Sequence, residues 1–385
     1  MIDNTPEYPR FEIYAKAPFV CWLARYRLHP ATLGVLFFFS VSLPLTLWGS
    51  LIPQRKDIGD FIGYFENLSW SISMLTIFPL LIGATFKFYQ DIPELFHHLL
   101  SYTIPAHCPA ERKGAFWQSI TRQFSSAFAP SAILLIALPL NYIYYYQVVQ
   151  NEAGKTWITD GRYLHVLFFA DTGLSAIGVY SAVIQVALIY WLFYLGWNSY
   201  LLIIALNRCF TEFGEEISLE PLHPDGCCGL GRLRTVSTEL SAILFLVGLY
   251  LSLKVIDKLA IQKLSLFSDI GNPVLLACYA IAAPLLFFLP LSTAHRVMQR
   301  ERDRFLLPIA QDYKRAVSSF REDTGPDTVQ RLEKYGSLYD DLKNRVPVWP
   351  FDFRSLQAFF GAVIVPVLPI LLPIAVQFIQ WLRAK

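Results

Sequence analysis

The sequence predicts an all-α integral membrane protein with about seven transmembrane helices and a cytoplasmic helical hairpin. Three observations carry that expectation. Seven long apolar stretches, at 34–53, 68–86, 130–148, 174–206, 236–256, 273–294 and 356–382, have no ionisable residue in their central parts. Each is near or above the roughly 20 residues that a helix needs to cross about 30 Å of hydrocarbon. Hydrocarbon offers backbone amides no partners, so such segments must satisfy their own hydrogen bonds as helices. The composition agrees, being 54% hydrophobic, 15% aromatic and only 16% charged, with a mean hydropathy of +0.41. A soluble domain carries about 25% charged residues. Finally, the charges gather in loops that are short on one side (54–67, 149–173, 257–272) and longer on the other.

Taken in order, residues 1–33 mix Phe11, Tyr14, Phe19, Trp22 and Tyr26 with Glu7, Arg10, Glu12, Lys16, Arg25 and Arg27. They lack the charged-then-apolar-then-small pattern of a signal peptide. They read as a cytoplasmic segment lying at the membrane surface, with an irregular tail as the alternative. Residues 34–294 form a six-helix transmembrane bundle. Its fourth stretch, 33 residues long, would run about 50 Å as a helix, so it tilts or projects beyond the bilayer. Tyr190, Trp191, Tyr194, Trp197 and Tyr200 recur along it at helical spacing, as in a packed seam or an interfacial belt. An aromatic cage for a ligand is the sharper alternative. Residues 295–355 carry the hairpin. One helix, His295 to Arg321, runs on from the sixth span, breaks at Thr324-Gly325-Pro326-Asp327, and is followed by Thr328 to Lys343. Residues 356–385 are a C-terminal transmembrane helix kinked by Pro366, Pro369 and Pro373, with Gln377 and Gln380 towards its end. Each proline removes a backbone donor, and the freed carbonyls are tolerated only against protein or water. These five residues are therefore the pore-lining candidates.

Orientation follows from the loops' Lys and Arg, which number 23 on the side of 1–33, 87–129, 207–235 and 295–355 and 9 on the other. Basic residues favour the cytoplasmic side, so the N-terminus is expected inside and the C-terminus outside. Cys21, Cys108, Cys209, Cys227 and Cys228 all fall on that inner side, where a disulfide framework would not persist. Asn67-Leu68-Ser69 is a glycosylation triplet on the outer side, but it abuts a span and is a common chance match. The net charge of +2 gives no electrostatic footprint for nucleic acid.

Two polar strings stand out. Pro221-Leu222-His223-Pro224-Asp225-Gly226-Cys227-Cys228-Gly229-Leu230-Gly231-Arg232 precedes the fifth span. Its His223, Asp225, Gly226, Gly229 and Gly231 predict a rigid turn in which Asp225 caps amides and a glycine takes positive φ, while Thr235 or Ser237 caps the coming helix. The same residues admit an anion-binding reading, because glycine-rich turns into helix N-termini expose amides. The spacing matches neither the P-loop nor the dinucleotide fingerprint. His223, Cys227 and Cys228 are metal-capable types, but adjacent cysteines rarely chelate together, so no metal and no cofactor is expected. The second string, Val348-Trp349-Pro350-Phe351-Asp352-Phe353-Arg354, leads into the last span. Trp349, Pro350 and Phe351 read as an anchor at the headgroup level, and Asp352 as the cap of the next helix.

Together the two strings resemble a group of uncharacterised prokaryotic multi-pass membrane proteins with an HPDxxGGL-like loop and a WPFD-like lead-in to the last span. Here the first string reads HPDGCCGL, with Cys228 where the first of the paired glycines would stand. The resemblance implies a multi-pass fold in a prokaryotic cytoplasmic membrane and attaches no activity.

The function expected from these features is a homo-oligomeric channel or receptor-like pore with the last helix near the permeation path. One alternative is a non-transporting scaffold or sensor that recruits a cytoplasmic protein through 295–355. Another is a solute transporter. Coupled carriers place Asp, Glu or His within the membrane, and the nearest charges are Glu239 and Lys254 at the ends of the fifth span. An enzyme is not expected, since no protease, kinase or hydrolase motif is present.

Overall fold

The computed structural model describes residues 29–51, 63–105, 108–152, 158, 163–164, 174–217, 219–220, 223, 225–257, 271–322, 326–351 and 355–368. Helix α1 spans Pro30–Ser50 and α2 Leu68–Thr103. They are followed by α3 (Ala110–Phe124) and α4 (Phe128–Glu152). A two-residue antiparallel ladder, β1 (Tyr163–Leu164) with β2 (Leu174–Ser175), precedes α5 (Ala176–Glu212). Then come α6 (Gly231–Ile256), α7 (Gly271–Glu322), α8 (Pro326–Arg345) and α9 (Ser355–Leu368). Six helical segments among the described residues are long and apolar enough to cross a membrane. The chain is an all-α multi-pass integral membrane protein. Of the seventh expected span, 356–382, only the α9 portion lies within the described residues.

Prolines shape the first two helices. Pro30 opens α1, whose cap is the His29 ring accepting the Ala31 N–H at 3.3 Å. Three widened π turns lie in these two helices, at Phe38–Ser42, Ser73–Ile77 and Leu99–Thr103. Each lies just before a proline: Pro44, Pro79 and Pro105. A proline cannot donate to the carbonyl four residues back, and here that carbonyl (Ser40, Leu75 or Ser101) sits inside the widened turn, which absorbs the break. α1 packs along α2 with small residues at the crossing. A Cβ at Gly34 would lie 2.5 Å from the Pro79 carbonyl oxygen, so only glycine allows this approach.

α2 also packs along α6, and α5 holds α4 on one flank and α7 on another. Polar links pin these contacts. Asn141 donates to Ala182 O at 3.3 Å, Tyr145 Oη meets Ser181 Oγ at 3.1 Å, and Thr293 donates to Asn207 Oδ1. Large side chains fill the interior, among them Phe78, Phe88, Tyr89, Phe96, Phe213, Phe287 and Phe359. The outward face of α4 (Leu135, Ile136, Leu138, Leu140, Ile143) is exposed apolar surface suited to lipid.

At one end the bundle carries a charged layer. Amphipathic α3 lies on the end of α5, with Phe116 against Phe213 at 5.3 Å and Arg112 paired with Glu216 at 2.5 Å. Its buried Lys113 donates to Leu100 O and Ile104 O, closing the C-terminus of α2. α7 continues out of the bundle as a helix of 52 residues, about 78 Å long, and α8 packs back against it as the expected hairpin.

One sequence expectation needs correction here. The inner segment 87–129 is not a loop throughout, because α2 runs on to Thr103. The hydropathy drop at Lys87 marks where charges begin and not where the helix ends. In addition, Asn67 of the glycosylation triplet is the helix cap, accepting the Trp70 N–H at 3.3 Å, and Ser69 is buried and donates to Asp257 at 3.1 Å. Both side chains thus serve the start of α2.

Candidate functional site

The loop between α5 and α6 is organised around one carboxylate. Asp225 Oδ1 accepts the backbone N–H of Cys227 at 2.8 Å and of Gly229 at 3.2 Å, and Oδ2 accepts Gly231 N–H at 2.8 Å. His223 Nδ1 lies 2.9 Å from Oδ1, to which it donates when it carries the ring proton, and 3.3 Å from the Asp225 backbone nitrogen. The chain can curl round a single side chain because Gly226, Cys228 and Gly229 have φ of 65°, 56° and 87°. Positive φ is natural for glycine and uncommon for cysteine, so Cys228 carries a local strain. Burial acts to raise the Asp225 carboxyl. The Cys227, Gly229, His223 and Gly231 hydrogen bonds outweigh it and hold the group below the ordinary carboxylate range.

The carboxylate also caps α6. Leu230 is the N-cap position and supplies no side-chain bond, and Gly231 N–H at the first turn goes to Asp225. Thr235 and Ser237 do not cap, contrary to expectation. Their hydroxyls donate back to Gly231 O and Leu233 O. A negative charge at this helix N-terminus is favourable in itself. The amides that an external anion would need are therefore taken by the protein's own Asp225. Cys227 and Cys228 are buried, burial pushes the Cys228 thiol up to about 11, and Cys228 Sγ faces Pro347 O at 3.9 Å. No group of three His, Cys, Asp or Glu side chains converges on a metal position among the described residues. Pro221, Leu222 and Pro224 lie outside them.

The second string packs close to the first. Trp349 stacks on His295 at 3.9 Å between ring centroids, and His295 Nδ1 lies 2.6 Å from Val348 O. Phe351 touches Trp349 and Phe287, and Phe287 in turn stacks on Phe359 of α9 at 4.0 Å. Pro350 is buried beside them. This segment grips α7 and sets where α9 begins. Asp352 lies outside the described residues.

Of the pore-lining candidates, only Pro366 is described; Pro369, Pro373, Gln377 and Gln380 are outside. Pro366 frees the carbonyl of Ala362, which Tyr279 Oη approaches at 3.3 Å while also donating to Leu244 O at 2.9 Å. α9 thus meets α7 along the Phe359 and Ala362 side. Phe360, Ile364, Val365 and Leu368 remain exposed on its other side. Pro369, by its covalent structure, cannot donate to the carbonyl of Val365.

A charged stripe at the α2–α6 seam was not foreseen. Lys87 Nζ lies 2.9 Å from Asp91 Oδ2 and 2.5 Å from Glu239 Oε1. One turn further on, Arg232 pairs with Glu94 at 3.1 Å. Lys87, Asp91, Glu94 and His98 fall four, three and four residues apart, a single helix face that the sequence displays once 68–103 is read as one helix. The aromatic stripe of α5 divides. Tyr194 is buried, and both it and Trp191 pack on Tyr89 of α2, while Tyr200 is exposed.

No protein family, curated protein or solved structure matches this chain.

Proposed function

We propose that the chain is one protomer of a homo-oligomeric channel or receptor-like pore, with its permeation path between copies and beside the last helix. The observation that carries this reading is the exposed face of α9. Val365 is 51% exposed, and Pro369, having no N–H, can supply no donor to its carbonyl. Hydrocarbon cannot replace that donor, which supports water or a neighbouring copy on this face without requiring it, since Pro139 frees the Leu135 carbonyl in the same way on the lipid-suited face of α4. The interior of the protomer favours a path outside it, since aromatic rings pack against one another there. The bilayer is the first partner. The α7–α8 hairpin, with exposed Phe305, Leu307 and Leu338, is a candidate contact for a cytoplasmic protein, which keeps the scaffold alternative in view. The Lys87–Asp91–Glu239 stripe favours a second reading, a coupled solute transporter. The loop charges support a cytoplasmic N-terminus and an outer C-terminus, and the resemblance of the two polar strings supports a prokaryotic cytoplasmic membrane.

One labelling experiment tests path and orientation together. Single cysteines from Val363 to Gln380, in a background lacking the six native cysteines, are exposed on intact cells to a membrane-impermeant thiol reagent. The expected result is reactivity that recurs every three to four residues and is strongest towards Gln377 and Gln380. Uniform protection contradicts the pore, and labelling at Gln380 only after the membrane is opened reverses the orientation.

A further inference from the structure

The stripe between α2 and α6 has an uneven charge balance. One ammonium, Lys87 Nζ, serves two carboxylates at 2.9 Å and 2.5 Å. Lys87 is half exposed, whereas the Asp91 and Glu239 side chains are 14% and 11% exposed, and both Glu239 oxygens are shielded from solvent. The next pair along the stripe cannot correct the imbalance, because Arg232 is engaged with Glu94. Other packed elements add no charge. α1 has no ionisable side chain in 30–51, α5 none before Arg208 apart from its tyrosines, and the spanning part of α7 before His295 only Cys278 and Tyr279. His98, His223 and Asp225 lie towards the N-terminal end of α6, where Asp225 is held by backbone amides. With both carboxylates ionised, the trio would keep one uncompensated negative charge at a largely dry helix interface, an expensive arrangement.

We propose that Asp91 and Glu239 form a binding site for a single proton, shared between the two carboxylates beside the Lys87 ammonium. Binding forms one O–H bond on a carboxylate oxygen, the proton coming from water through the exposed flank at Lys87. The new hydroxyl donates to the other carboxylate, and the trio becomes neutral. Release returns the proton to water and leaves a net charge of −1 between α2 and α6, which repels the carboxylates and loosens the seam. The site stands whether or not the chain forms a pore.

Infrared difference spectroscopy of the purified full-length protein in lipid tests this without any transport assay. Between mildly acidic and mildly alkaline buffer, the wild type should lose the C=O stretch of one protonated carboxyl. Glu239→Gln and Asp91→Asn should each abolish that band, because one ammonium then faces one carboxylate and no proton is needed. If one of these variants does not fold, the other gives the same reading. Lys87→Gln should keep the band and move its disappearance to higher pH, and Glu94→Gln should leave it unchanged. No titrating band in the wild type, or a band that survives in both Glu239→Gln and Asp91→Asn, overturns the proposal.

Discussion

Asp225→Ala should cut the folded yield and lower the thermal midpoint of the purified protein by several degrees, although it lies outside the spanning helices. The side chain is the acceptor for the Cys227, Gly229 and Gly231 amides. Alanine leaves these donors without a partner at a partly buried turn and uncaps α6. Each orphaned donor costs roughly 1–3 kcal/mol, moderated here by water reaching the loop, and loss of a cap about 1 kcal/mol. A total of about 2–4 kcal/mol is expected. Asp225→Asn keeps an acceptor and should fall between the two. Gly229→Val, at φ 87°, should add roughly 1–3 kcal/mol of backbone strain by itself. Wild-type stability in Asp225→Ala with activity lost would reverse the assignment, making the loop a ligand site.

The second large effect is expected from a single methyl group. Gly34→Ala improves helix propensity by about 1 kcal/mol, so α1 alone would gain. Yet the added Cβ would stand 2.5 Å from the Pro79 carbonyl oxygen, a backbone atom that cannot swing aside. α1 must shift away from α2, giving up the packing around Leu33 and Phe86. Gly196→Ala in α5 is the matched control, since a Cβ there meets nothing within 4 Å. Thermal unfolding and limited proteolysis should show Gly34→Ala destabilised by roughly 1–3 kcal/mol and Gly196→Ala unchanged or improved. Equal tolerance at both positions would contradict the close α1–α2 crossing.

What the sequence showed and what it hid divide along physical lines. Lipid-spanning segments are legible because the solvent imposes one rule along their whole length, and six such helices are present among the described residues. Helix ends were less legible. α2 passes from hydrocarbon into the charged layer without breaking, and hydropathy records the change of surroundings only. Reading 87–129 as a loop therefore concealed the Lys87–Asp91–Glu94–His98 face and its contact with Glu239. Within HPDGCCGL, Asp followed by glycines already signals a carboxylate bonded to nearby amides. The reach of Asp225 to Gly231, six residues on, depends on positive φ at a cysteine, which local rules disfavour. The stacking of Trp349 on His295 joins residues far apart in the chain, and nothing in either string alone announces it.

The pore reading is tested most directly by reconstituting the purified protein in a planar lipid bilayer and recording current under voltage. The account predicts discrete unitary conductance steps that a thiol reagent blocks in a Val365→Cys variant and leaves unaltered in the cysteine-free parent. A bilayer that stays electrically silent, although the protein is folded and inserted, would contradict the account.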